Sequence, residues 1–210
     1  NFNVSDALEM QVGLDWRTAG IEHAREVRDL LGGDYYVDYA DDNEPEGKVV
    51  RLGDIIAYHN ETTVDWLGGF VQANYTTDKM NVYGMGGVSQ IEYSYQDHFT
   101  VENEVIKADP ISTMQVKGGA MFNINDDMKV FFNTGLVEKA PIMDNVIYYD
   151  GTVASDPSNE KFLHNEFGVN YRFGKLGLNA SAYNTDWQDR NLTKSVTTGQ
   201  GSSGDTDGSS

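Results

Sequence analysis

The stretch Ala7-Leu8-Glu9-Met10-Gln11-Val12-Gly13-Leu14-Asp15-Trp16 alternates without a break. Leu8, Met10, Val12, Leu14 and Trp16 are large and apolar. Ala7, Glu9, Gln11, Gly13 and Asp15 are small or polar. Successive side chains of a strand point to opposite faces, so this segment has one oily face and one wet face. At roughly 3.3 Å per residue, the oily face from Leu8 to Trp16 runs about 27 Å. Strands of soluble domains are usually about 5–6 residues long. Strands that cross a bilayer have about 9–11.

The same pattern recurs downstream. Met114, Val116, Gly118, Ala120, Phe122 and Ile124 share one face, and Gln115, Lys117, Gly119, Met121 and Asn123 the other. After the tight turn Asn125-Asp126-Asp127, Met128, Val130, Phe132, Thr134 and Leu136 oppose Lys129, Phe131, Asn133 and Gly135. A further pair meets at Gly174-Lys175. It sets Phe167, Val169, Tyr171, Leu176, Leu178, Ala180 and Ala182 against Glu166, Gly168, Asn170, Arg172, Gly177, Asn179, Ser181 and Tyr183. Another runs over residues 64–75 and 80–90 and turns at Thr76-Thr77-Asp78-Lys79. Gly68-Gly69 and Gly84-Met85-Gly86-Gly87 blur its alternation and leave its register open. Trp66 and Trp187 have the wrong parity for the oily face, so they lie on the polar face or follow a bulge. Trp16, Tyr75, Phe122 and Tyr171 are expected near strand ends, where an aromatic girdle would lie.

About seven strands are therefore expected, and their connections alternate in length. Short turns fall near residues 77, 126 and 175. Long loops are expected over 17–63, 91–112 and 138–162. That asymmetry is the organisation of an antiparallel transmembrane β-barrel with long extracellular loops, here a partial one spanning residues 1–190. Residues 191–210, rich in Gly, Ser and Asp, read as a flexible loop or tail. Within the first loop, Ile21, Ala24, Val27 and Leu31 stand at helical spacing before Gly32-Gly33, which predicts a short helix over 21–31.

Composition narrows the function. The chain has 210 residues, 15 basic and 33 acidic, for a formal net charge of −18. Nucleic acid is a poor partner for such a chain, because phosphate contact needs clustered Lys and Arg. With no cysteine there is no disulfide, thiolate metal site or thiol nucleophile. The first residues, Asn1-Phe2-Asn3-Val4, have neither a basic region nor an apolar core, so no signal peptide is read there. No nucleophile elbow, phosphate-binding loop or paired-histidine zinc motif occurs, so no enzyme and no cofactor are expected.

Several segments resemble one family. Asn159-Glu160-Lys161-Phe162, Glu166-Phe167-Gly168-Val169-Asn170-Tyr171-Arg172 and Leu178-Asn179-Ala180-Ser181-Ala182-Tyr183-Asn184-Thr185-Asp186-Trp187-Gln188-Asp189-Arg190 are similar to late barrel strands of TonB-dependent outer-membrane receptors, especially Bacteroidota-type ones. Phe131-Phe132-Asn133-Thr134-Gly135 with Lys139-Ala140-Pro141 resembles the preceding strand and loop. Residues 22–33 followed by Tyr35-Tyr36 resemble a loop of the same group. The resemblance implies a bacterial outer-membrane location and a roughly 22-stranded barrel. It further implies an N-terminal plug, energy from the inner-membrane TonB complex through that plug, and uptake of a small-molecule or oligomeric nutrient such as a siderophore or glycan. Seven strands without plug or closing strand read as an internal or C-terminal fragment of such a barrel, left with two bare edges.

The polar positions Glu9, Gln11, Asp15, Gln72, Asn74, Gln115, Lys117, Asn123, Asn170, Arg172 and Asn179 form the candidate lumen wall, which would meet plug and substrate. In a soluble sheet the same residues would be a solvated face. Asp34, Asp38, Asp41, Asp42, Glu44 and Glu46 make an acidic extracellular loop, a weak cation-binding candidate because carboxylates are hard oxygen ligands. Gly204-Asp205-Thr206-Asp207-Gly208 raises the same idea. His23, His59, His98 and His164 are isolated in sequence and read as surface or loop residues. The alternative to a transport barrel is a non-transporting soluble β-sandwich or surface-binding module with acidic loops.

Overall fold

A computed structural model describes residues 1–100, 103–148 and 150–190. The strands are β1 (Phe2–Asn3), β2 (Leu8–Glu26), β3 (Tyr36–Asp38), β4 (Lys48–Val50), β5 (Ile55–Thr76), β6 (Met80–Asp97), β7 (Val105–Lys107), β8 (Ile111–Asn123), β9 (Met128–Lys139), β10 (Glu160–Phe173) and β11 (Leu176–Gln188). One 3-10 turn, Met143–Asn145, follows β9. All but β3 and β4 belong to one sheet, ordered β1-β2-β5-β6-β8-β9-β10-β11 with β7 on β6. Every pairing is antiparallel, and the sheet is open between β2 and β11.

Register makes the sheet two-faced. Val12 pairs Val71, Val71 pairs Gly86, Gly86 pairs Val116, Val116 pairs Leu136 and Leu136 pairs Leu163. Because pairing is directly across, these residues share one face with Leu8, Met10 and Leu14. That face is uncovered: Leu14 is 87% and Val116 55% exposed. A soluble protein rarely leaves so continuous an apolar surface in water. Among the described residues no second sheet packs on it, so the β-sandwich alternative lacks its other layer. The apolar band stops at the row Trp16, Leu67 and Gln90; beyond it Thr18, Gly20 and Glu22 continue the same face. Trp16 thus marks the edge of the band in mid-strand, whereas Tyr75, Phe122 and Tyr171 lie close to true strand ends.

The strands outrun the apolar band, which corrects three loop boundaries. The loop expected over 17–63 is residues 27–54 and contains the β3–β4 hairpin. That expected over 91–112 is 98–110, with β7 inside it. That expected over 138–162 is 140–159. The helix expected over 21–31 does not form. Residues up to Glu26 continue β2, paired from Ile21↔Thr62 to Glu26↔Ile55. Local helical spacing lost to a long cross-strand ladder with β5, which pairs the 19-residue strand along one side from Leu8 to Glu26. Near its top a bulge on β5 lets the register jump from Ala24↔His59 to Arg25↔Ile56, and Ala57 takes a left-handed φ of 67°. The register left open by Gly68-Gly69 and Gly84-Met85-Gly86-Gly87 runs straight through, from Gly68↔Ser89 to Ala73↔Gly84. Residues 191–210, including the acidic Gly204–Gly208 segment, lie outside the described residues.

The buried core is small and sits at the long-loop end of the polar face. Tyr93, Tyr95 and Ile111 from the sheet meet Ala108, Val146 and Ile147 from the loops. Tyr93 Oη donates to the Pro141 carbonyl oxygen at 2.9 Å, and the Ala108 amide donates to the Tyr93 carbonyl oxygen at 3.1 Å. The 140–159 loop is therefore folded inward over the polar face.

Candidate functional site

The polar face is built by parity. Glu9 pairs Asn74, Gln11 pairs Gln72, Asp15 pairs Gly68, and the ladder continues Gly87↔Gln115 and Met85↔Lys117. Toward the short turns Asn123 pairs Lys129, which pairs Asn170, which pairs Asn179; Arg172 pairs Gly177. All eleven candidate wall residues thus share the face opposite Leu8, Met10 and Val12. They do not converge on one point. They are spread along the face, and several are held by neighbours. Asn81 Nδ2 donates to Asn74 Oδ1 at 3.0 Å, and Asn123 Nδ2 donates to the Asp78 carbonyl oxygen at 2.7 Å. Asp15 is ion-paired with Arg17.

Three residues outside the eleven candidates, Tyr83, Asn133 and Glu166, share this polar face. Tyr83 Oη donates to Asn133 Oδ1 at 3.2 Å, and Asn133 Nδ2 donates to Glu166 Oε2 at 3.1 Å. Their parity in the alternating strands already placed them there. Trp66 and Trp187 share this face as well: Trp66 pairs Arg17 and Trp187 pairs Phe162, with no bulge between.

Beneath the inward-folded loop the face is hollowed into a cavity of ≈ 730 Å³. Asp15, Arg17, Trp66, Phe70, Gln115 and Phe162 line it, and Tyr93 and Ala140 bound it on the loop side. The Arg17 guanidinium lies 5.2 Å from the centre of the Trp66 ring, and Phe162 stacks on Trp187 at 5.0 Å. Aromatic surface beside a few directed polar groups is the make-up of a small-molecule site. Room for the hollow comes from Gly68 and Gly87, since a Cβ on Gly68 would lie 2.5 Å from the Trp66 ring.

The six acidic residues of the loop divide into two buried and four exposed. Asp38 and Asp41 are buried and satisfied by protein donors. Asp38 Oδ2 accepts the Ala57 amide at 3.0 Å; Asp41 Oδ1 accepts the Asn43 amide and its Nδ2, each at 3.0 Å. Asp34, Asp42, Glu44 and Glu46 point outward into solvent. The six carboxylates do not gather: Asp38, at the end of β3, is turned to β5, and Asp41, in the β3–β4 turn, to Asn43. Among the described residues the one group of three or more metal-competent side chains is His59, Glu61 and His98, whose donor atoms lie within 4.8 Å of one another. Two histidines read as isolated are therefore neighbours across β5 and the end of β6. His59-Asn60-Glu61, with two potential ligands at period two, was the signal available in the sequence.

The family model described as TonB dependent receptor-like, beta-barrel matches residues 1–208. No curated protein matches the chain.

Proposed function

Since the chain belongs to the TonB-dependent receptor β-barrel family, whose members are bacterial outer-membrane receptors and transporters, we propose that it is a stretch of barrel wall in a receptor that captures a nutrient at the cell surface and imports it. The apolar face is covered by outer-membrane lipid. The polar face lines the lumen, where the receptor's own plug domain packs against Gln72, Lys117 and their neighbours. The inner-membrane TonB complex supplies energy through that plug. The imported compound is a small molecule or oligomer, such as a siderophore or glycan, that passes the hollow beneath the 140–159 loop. The observation that carries this reading is that hollow on the polar face, lined by Trp66, Phe70 and Phe162 beside Asp15, Arg17 and Gln115.

The test is uptake in whole cells. Deleting the gene of the full-length receptor is expected to abolish TonB-dependent growth on at least one limiting iron, cobalamin, peptide or glycan source. The wild-type gene restores it, and a Trp66→Ala, Phe162→Ala variant present at equal level in the outer membrane restores it poorly. Unchanged growth on every such source overturns the reading.

A further inference from the structure

His59 and Glu61 project from the same face of β5, two residues apart. His98 lies directly across from His59, its amide donating to the His59 carbonyl oxygen at 2.9 Å. The two imidazole rings are 4.4 Å apart, centre to centre. His98 Nε2 stands 3.1 Å from Glu61 Oε1, and His59 Nε2 stands 2.8 Å from Glu22 Oε1 on β2. Both imidazoles are mostly covered, at 21% and 24% side-chain exposure, with the Phe99 ring edge-on to His59 at 6.3 Å.

We propose that His59, Glu61 and His98 bind a borderline transition-metal dication of the zinc type. Ligands on a four-coordinate zinc at about 2.0–2.2 Å sit roughly 3.3 Å from one another, which is close to the His98–Glu61 separation. Two imidazoles and a carboxylate suit zinc, cobalt, nickel or copper, and not the hard cations calcium and magnesium. Glu22 stands beside the trio and adds negative charge that favours a dication. A histidine–carboxylate hydrogen bond of this kind also orients a ligand ring.

The position makes the site reachable. Its rows lie about 20–26 Å along the strands beyond Trp16 and Leu67, where the apolar band ends. Metal there staples β5 to the end of β6. It also braces two loops, because the Asp42 amide donates to the Phe99 carbonyl oxygen at 2.8 Å and Asn43 Nδ2 donates to the His98 carbonyl oxygen at 3.3 Å. This site is independent of the lumen and of the imported compound.

The full-length receptor, purified in detergent and stripped with chelator, is titrated with Zn²⁺ by calorimetry and with Co²⁺ by visible absorbance. One equivalent is expected to bind with micromolar or tighter affinity, and Co²⁺ to give the intense visible band of a low-coordinate nitrogen–oxygen site. His59→Ala, His98→Ala and Glu61→Gln should each weaken binding about tenfold or more. His164→Ala, on the polar face beside Thr185, should leave it unchanged. Each variant is compared only if it keeps the wild-type heat-dependent gel mobility of a folded barrel. Glu61→Gln keeps the shape of the site if a histidine variant does not fold. Absence of micromolar binding by the wild type overturns the proposal, as does binding that survives in folded His98→Ala and Glu61→Gln.

Discussion

Tyr93 and Pro141 are joined by a buried hydrogen bond between the tyrosine hydroxyl and the proline carbonyl oxygen. Pro141 is fully buried, so this bond fastens the start of the 140–159 loop to the polar face of β6. Replacing Tyr93 by Phe leaves the carbonyl without a partner in a place water does not reach. The expected cost is about 1–3 kcal/mol of loop stability. Hydrogen exchange is expected to accelerate at the Val146 and Ile147 amides, which close the Met143–Asn145 turn, and to stay unchanged in the β8–β9 ladder.

The two faces are expected to answer oppositely to charge. Val12→Arg and Val116→Arg place a guanidinium on the apolar band, which should cost about 2–4 kcal/mol near the bilayer midplane. Gln72→Arg and Gln115→Arg, on the other face, should cost far less. Urea titration of the full-length receptor in lipid vesicles measures the difference.

Gly168 lies beneath the Phe131 ring of its β9 partner. A Cβ there would stand 2.2 Å from that ring and 3.0 Å from the Ala180 carbonyl oxygen. Gly168→Val must displace both ring and backbone, at an expected cost of about 1–3 kcal/mol. At Gly20, where nothing lies within 4 Å, Ala is expected to be neutral to about 0.5 kcal/mol in the same titration.

The bulge at Ala57 stores strain that Asp38 holds in place. Ala57 has a φ of 67°, and its amide is clamped by the buried Asp38 carboxylate. A left-handed conformation costs a non-glycine residue roughly 1–2 kcal/mol. Ala57→Gly is therefore expected to be stabilising, whereas Asp38→Ala frees the amide and should loosen the β3–β4 hairpin. Proteolytic nicking within residues 27–54 should slow in the first variant and quicken in the second.

In the 140–159 loop, the Thr152 amide and hydroxyl donate to the Asp150 carboxylate and hold its pKa below the ordinary 3.8. A depressed folded-state pKa means stability that is present above pH 3.8 and is lost as pH falls through the lower folded value. Exchange at the Gly151 and Thr152 amides should therefore rise only in that acidic range. Asp150→Asn should remove the pH dependence.

Much of this was legible because a strand's side-chain period is fixed at two. From Leu8 to Trp16, and from Met114 to Phe122, alternation alone assigned each residue to a face, and direct cross-strand pairing carried the assignment across the sheet. It failed where both faces are polar. Residues 18–26 and 55–63 carry no alternation, so nothing local separated strand from loop there. Ile21, Ala24 and Val27 could satisfy a helix as well as a ladder. Only pairing between β2 and β5 decided between them, since it completes hydrogen bonds that neither segment can make alone.

The sequence by itself determined which residues face oil and which face water, and so the class of fold. Tertiary structure decided what lies far apart in the chain yet meets in space. Asp38 was turned to the Ala57 amide and Asp41 to Asn43. Pro141, Val146 and Ile147 were folded inward over Tyr93. His59 was brought beside His98, a neighbour 39 residues away in sequence by the numbering of the chain. Register and loop return are set by the sum of many weak pairings, and no short window of sequence contains that sum.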